Sequence, residues 1–253
     1  SYKNILPNTV PSAMRNMLAA EEDLSNVTVI NLAGEAFPLD IAHKLANHQA
    51  EVRNLYGPSE DTTYSTCYKL TKAETNSIPI GKPSRNTQAY ILNNSLLPLP
   101  VGVVGKLYLS GTGITKGYLN KPSLTSEKFI ANPFQENTIM YNTGDLVRRL
   151  PDGTIDYIGR EDYQVKIRGH RIELEEIQYA ITQYSEAIKQ ALVLVKTVKG
   201  EEQLVAYYTS DKAIAKDKLR RALQQKLPQY MIPNYYMELE AMPLTPNGKV
   251  DRK

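Results

Sequence analysis

Asp145, Arg160, Asp162, Lys166, Gly169 and Arg171 fall within about thirty residues of a 253-residue chain. They belong to the stretch 141–173, YNTGDLVRRLPDGTIDYIGREDYQVKIRGHRIE. Arginine and lysine hold anionic oxygens, carboxylates hold hydroxyls or a hard cation, and glycines let backbone approach a ligand. A solvated surface needs no such mixture of turn formers and paired charges. A site that handles phosphate does.

Several elements must position these groups. PSAMRNMLAAE (11–21) has Pro near its start and helical apolar spacing. VTVINLAG (27–34) reads as a buried strand, LDIAHKLANHQ (39–49) as a helix, and VRNLYGPSE (52–60) as a short strand running into a turn. This alternation predicts a layered α/β part with a parallel sheet over about 1–75. Over about 76–161, turn signals such as GKP, NNS, SGTG and PDGT punctuate the short runs QAYILN, KLYLSG and TIDYIG. That pattern predicts antiparallel strands in a distorted barrel or small sheets, with one helix at 123–130. From 162 onward a helix at 171–184, strands at 190–196 and 203–210, a helix at 215–227 and a proline-rich tail predict a small α+β domain, 162–253.

The bulk composition excludes several classes. Thirty basic and 27 acidic residues give a net charge of +3, too balanced to argue for nucleic acid. No apolar run is long enough to span a membrane, and no signal-peptide pattern opens the chain. One cysteine, Cys67, excludes an internal disulfide framework, fits a reducing cytoplasm and is expected to be a buried apolar filler. Three scattered histidines give no metal-ligand spacing.

The motifs resemble those of the adenylate-forming superfamily, specifically the amino-acid adenylation domains of nonribosomal peptide synthetases. Tyr141-Asn142-Thr143-Gly144-Asp145 matches Y-x-T-G-D, and 159–173 match G-R-x-D-x-Q-V-K-I-R-G-x-R-I-E. NLYGPSE (54–60), GKLYLSGTGITKGYL (105–119), LPQYMIP (227–233) and NGKVDR (247–252) follow the family's wording and order. The implied fold is the C-terminal part of the adenylate-forming enzyme fold: the second half of a large core (1–161) and a small mobile C-terminal domain. The chain opens in mid-pattern. The resemblance therefore implies an upstream half, carrying the phosphate loop, as a partner, and inactivity without it.

The implied reaction has two steps. An amino-acid carboxylate attacks the α-phosphorus of ATP, giving aminoacyl-AMP and pyrophosphate. The acyl group then passes to the phosphopantetheine thiol of a peptidyl carrier protein. ATP, Mg2+ and AMP or the aminoacyl-adenylate are the implied bound species. Lys249 corresponds to the family's catalytic lysine. Asp145 would hold ribose hydroxyls, Arg160 ribose or phosphates, and Tyr157 would pack by the nucleotide. In the NLYGPSE motif, Asn54 would read adenine's amino edge and Tyr56 would stack on the ring. Gly57 belongs to the same nucleotide-binding turn, Ser59 would touch the α-phosphate, and Glu60 would ligate Mg2+. Asp162 is the implied hinge, and Gly169 and Arg171 the implied lining of the pantetheine tunnel.

Motif register implies that Thr9, Asn31, Ala33, Leu55, Thr63 and Tyr64 line the acyl pocket, with Gly34 letting backbone approach the substrate. This polar lining with a small Ala33 leans towards a large polar or aromatic substrate side chain. An acyl- or aryl-acid ligase of the same superfamily shares the nucleotide motifs, and a non-catalytic adenylation module kept for carrier docking stays open beside it. Decay of that kind should first damage Glu60, Asp145, Arg160 or Lys249, and all four residue types are intact.

Overall fold

The computed structural model describes residues 4–71, 77–198, 200–244 and 250–251. The chain divides into two compact units, Ser1–Asp162 and Tyr163–Lys253.

In the first unit, strands Asn8–Thr9, Val29–Ala33 and Glu51–Tyr56 pair in parallel. Thr66–Lys69 pairs antiparallel with Glu51–Tyr56, and Lys82–Pro83 pairs antiparallel with Thr66–Lys69 at the edge of the sheet. The parallel reading therefore holds for the three strands separated by helices and stops where the chain returns by a short turn. Helices Pro11–Ala19 and Leu39–Leu45 connect the parallel strands. Met14, Ile41 and Leu45 from these helices join Ile30, Leu32 and Val52 from the sheet in one core. Pro11 sits in the first turn, where its missing N–H has no intrahelical partner to lose. Cys67 departs from expectation: Thr66 takes the buried side of its strand, so strand alternation turns Cys67 outward.

The same unit carries an antiparallel sheet in the order Ile155–Arg160, Ile139–Arg149, Gly105–Gly111, Thr87–Leu92, with Phe129–Ala131 also on Ile139–Arg149. Its longest strand is one the sequence pattern hides, because Asn142-Thr143-Gly144-Asp145 reads as a turn. It is a bulge instead. Lys106 pairs with Leu146 and Tyr108 with Asn142, so two extra residues are accommodated opposite Leu107. Gly144 takes a φ of +74° there, a conformation glycine adopts without steric cost.

The second unit opens with a hairpin, Gln164–Ile167 against His170–Glu173. Its two-residue turn, Arg168-Gly169, has φ of +51° and +78°, the left-handed pair that matches strand twist. The helix expected over 171–184 runs Leu174–Thr182, because 171–173 complete the hairpin and place Ile172 in the core. Strands Ile188–Val198 and Glu201–Ser210 pair antiparallel, and Tyr235–Glu238 adds in parallel. Leu219 and Leu223 of helix Lys216–Gln224 pack with Ile177, Val193 and Tyr208. Among the described residues no helix is long and apolar enough to cross a membrane.

Candidate functional site

The first unit gathers Tyr56, Asp145 and Arg160 from three separate strands. The bulge over 143–145 is fastened by the Thr143 hydroxyl. It donates to the Leu107 carbonyl at 2.8 Å and accepts from the Asp145 N–H at 3.0 Å. A second bulge, between Tyr157 and Gly159, inserts Ile158 and brings Arg160 directly opposite Asp145. Without it Gly159 would take that position and Arg160 would face the other side, since side chains alternate along a strand.

The Tyr56 hydroxyl donates to Asp145 Oδ2, and Arg160 Nη1 donates to Asp145 Oδ1 at 2.8 Å and to the Thr143 carbonyl at 3.1 Å. The other edge of the Arg160 guanidinium holds Asp162 in a two-bond fork, 2.6 Å for each bond. A Cβ on Gly144 would stand 2.8 Å from Arg160 Nη2, so the glycine lets the guanidinium lie against the bulge. Burial works against the Arg160 cation, but the bonded Asp162 and the nearby Asp145 offset it and hold its pKa above the usual range. Burial, then Asp145, pushes Tyr56 well above a phenol's usual value and Tyr157 up to about 12. Both phenols are therefore neutral donors at physiological pH. The cluster combines a buried carboxylate, an obligate cation and two neutral phenols, a set suited to hydroxyls and an anion.

Asn54 is buried and donates its Nδ2 to the Pro79 carbonyl at 2.8 Å, so its oxygen is the atom suited to accept from an amino edge. Gly57 lies where a Cβ would stand 2.2 Å from the Thr63 carbonyl, so any side chain would displace the loop over Thr63–Ser65. The 3-10 turn Ser59–Asp61 follows, with Ser59 exposed and Glu60 buried. Tyr118 donates its hydroxyl to Glu60 Oε1 at 2.6 Å.

Among the described residues no group of three or more His, Cys, Asp or Glu could hold a metal by itself. Glu60 offers hard carboxylate oxygen. It fits a divalent cation of the magnesium kind, which takes one or two carboxylates and completes its shell with phosphate oxygens and water. Lys249 lies in the segment 245–249, outside the described residues.

The expected acyl pocket needs one correction. Thr9 pairs with Leu32, whose side chain is fully buried in the core, whereas Asn8 pairs with Asn31. Paired residues share a sheet face, so Asn8 rather than Thr9 lies on the face of Asn31, Ala33 and Leu55. Tyr64 marks the same side by donating its hydroxyl to Asn8 Oδ1 at 2.9 Å. Gly34 continues from Ala33 with φ of +85°, and Thr63 is exposed. In the second unit Gly169 and Arg171 occupy the hairpin, and His170 between them stacks on Tyr230 with ring centroids 4.1 Å apart.

One buried carboxylate carries no motif signal. Asp61 is 3% exposed; its Oδ2 accepts from the Ser65 hydroxyl at 2.6 Å, and its Oδ1 lacks a hydrogen-bond partner. Burial raises its pKa, with the Ser65 bond opposing. The folded chain therefore holds this proton more tightly than the unfolded chain. The stability it contributes is full below 3.8 and is lost as pH rises through the folded value. Asp61→Asn keeps an acceptor for Ser65 and removes the charge. Its urea midpoint is expected to exceed the wild type's at pH 7 and to converge with it near pH 4; equal midpoints at pH 7 would refute the assignment.

Residues 5–119 match the family model described as AMP-binding enzyme. Gramicidin S synthase 2 of Aneurinibacillus migulanus is 45% identical over 96% of this chain, which spans 6% of that protein's length. The dimodular nonribosomal peptide synthase of Bacillus subtilis (strain 168) is 42% identical over 99% of the chain and 10% of its own length. Among solved structures, the Vibrio cholerae adenylation domain AlmE in complex with glycyl-adenosine-5'-phosphate superposes with a TM-score of 0.85 at 27% identity, covering 97% of this chain and 48% of that one. A nonribosomal peptide synthetase protein containing adenylation and PCP domains, bound to a vinylsulfonamide inhibitor, gives a TM-score of 0.87 at 27% identity over 98% of this chain and 43% of that one.

Proposed function

Because the chain belongs to the AMP-binding enzyme family, within the adenylation domains of nonribosomal peptide synthetases, we propose that it supplies the nucleotide-holding part of an amino-acid-activating ligase. The observation that carries this reading is the meeting of Tyr56, Asp145 and Arg160, each from a different strand and each at a motif position. Asp145 accepts ribose hydroxyls by charge-assisted bonds, and Arg160, already pinned by two carboxylates, presents its fixed charge to ribose or phosphate. Asn54 and Tyr56 hold the adenine side, while Tyr157 closes the nucleotide edge. Ser59 faces the α-phosphate from an exposed turn. Glu60 holds a divalent cation, which when bound neutralises phosphate charge.

The adenylation step needs no general base, because the attacking amino-acid carboxylate is already an anion. Catalysis is then positioning and charge stabilisation, and Lys249 supplies the cation between carboxylate and α-phosphate. The face bearing Asn8, Asn31, Ala33 and Leu55 receives the amino-acid side chain. An upstream segment completes the phosphate site, and a carrier protein receives the acyl group on its phosphopantetheine thiol. The carrier proposal draws support from the neighbour with adenylation and PCP domains, and the adenylate proposal from the glycyl-adenosine-5'-phosphate in AlmE. Asp162 serves as the hinge, and Gly169 and Arg171 serve the thiol-transfer step.

The deciding experiment is ATP–pyrophosphate exchange by the full-length protein across all twenty amino acids. Exchange with one or a few amino acids is expected. A folded protein that binds ATP but exchanges with none would move the assignment to an acyl- or aryl-acid ligase or a docking module.

A further inference from the structure

Glu60 is gripped by a neighbouring segment, 111–118. The Thr115 N–H donates to the Glu60 carbonyl at 2.9 Å, and the Thr62 hydroxyl donates to the Gly113 carbonyl at 2.6 Å. Gly113 is pressed against the same turn: a Cβ there would stand 2.4 Å from Asp61 Oδ1. Backbone contacts on both sides thus fasten the turn that carries Ser59 and Glu60.

The carboxylate itself is met by Tyr118, whose own placement is over-determined. Its N–H donates to the Thr125 hydroxyl at 2.9 Å, on helix Pro122–Lys128. Gly117 precedes it with φ of +125°, where a Cβ would stand 2.3 Å from Thr125 Cγ2. Its ring packs edge-on against Phe129 at 5.5 Å, and Phe129 packs on Tyr141 at 5.0 Å. Tyr141 brings its hydroxyl to 3.5 Å from that of Tyr118.

We propose that Tyr118 is the positioning residue of Glu60, fixing the plane of its carboxylate for a divalent cation. The proposal rests on the reading of Glu60 as the cation-holding group. A phenol is neutral at physiological pH. A neutral donor orients the carboxylate without cancelling its charge, as a lysine or arginine at this place would. Partners behind a metal ligand commonly govern affinity by about 10–100-fold.

The test uses the full-length protein with a non-hydrolysable ATP analogue and Mn2+, counting free Mn2+ by its EPR signal. Tyr118→Phe keeps the ring that packs on Phe129 and removes only the donor. Its Mn2+ affinity is expected to fall about tenfold, with the KM for the amino acid unchanged. In a Glu60→Gln background the same substitution is expected to add no further loss, because both act on one interaction. Wild-type affinity in Tyr118→Phe would overturn the inference, and so would a full additional loss in the Glu60→Gln background. Failure of the wild type itself to take up Mn2+ with the analogue would overturn the cation reading of Glu60 and this inference with it.

Discussion

Asp145→Ala is expected to destabilise the first unit by about 3 kcal/mol and to abolish AMP binding. The stability loss follows from what the carboxylate satisfies. Tyr56 and Arg160 both donate to it in a buried setting, with the Asp145 side chain 8% and the Arg160 side chain 12% exposed. Removing one partner of a buried pair leaves the other charge uncompensated, typically at a cost of about 3–5 kcal/mol. The lower end applies because Arg160 keeps Asp162 and the Thr143 carbonyl. Denaturant unfolding read on the first unit measures the effect, and calorimetric titration with AMP measures the binding. Asp145→Asn separates the two consequences, since it retains the shape and an acceptor for Tyr56. A folded Asn variant with wild-type AMP affinity would remove Asp145 from the nucleotide site. Alanine at no cost in stability would mean that the buried pair contributes nothing to folding.

Lys249→Ala is expected to slow pyrophosphate exchange by about 10²–10³ while leaving the unfolding midpoint in place. The magnitude is that of losing one preorganised cation aimed at charge developing in the transition state. The residue is assigned on its place in the NGKVDR motif alone. A substitution there should lower kcat more than it raises the KM for ATP, because the nucleotide contacts proposed for Tyr56, Asp145 and Arg160 remain. Exchange within about tenfold of the wild type would mean that another cation serves the α-phosphate.

The residues themselves determined much of this protein. Apolar spacing and glycine placement marked the helices Pro11–Ala19, Leu39–Leu45 and Lys216–Gln224 and the strands Val29–Ala33 and Glu51–Tyr56, because such signals act over a few residues. The charged and glycine-rich stretch 141–173 pointed to anion chemistry by residue type alone. Tertiary structure decided what lies between. Thr143-Gly144-Asp145 has turn chemistry, yet becomes a bulge inside an eleven-residue strand because flanking strands pair across it. The bulge at Ile158 cannot be read from composition, yet it alone brings Arg160 opposite Asp145. Register is a property of two strands together. Hence Asn8 rather than Thr9 lies beside Asn31, and a one-residue difference exchanges sheet faces. Tyr56 and Asp145 are 89 residues apart, and Glu60 and Tyr118 are 58 apart. Pairings over such distances have no local periodicity to betray them, because they form only when separate sheets and loops pack.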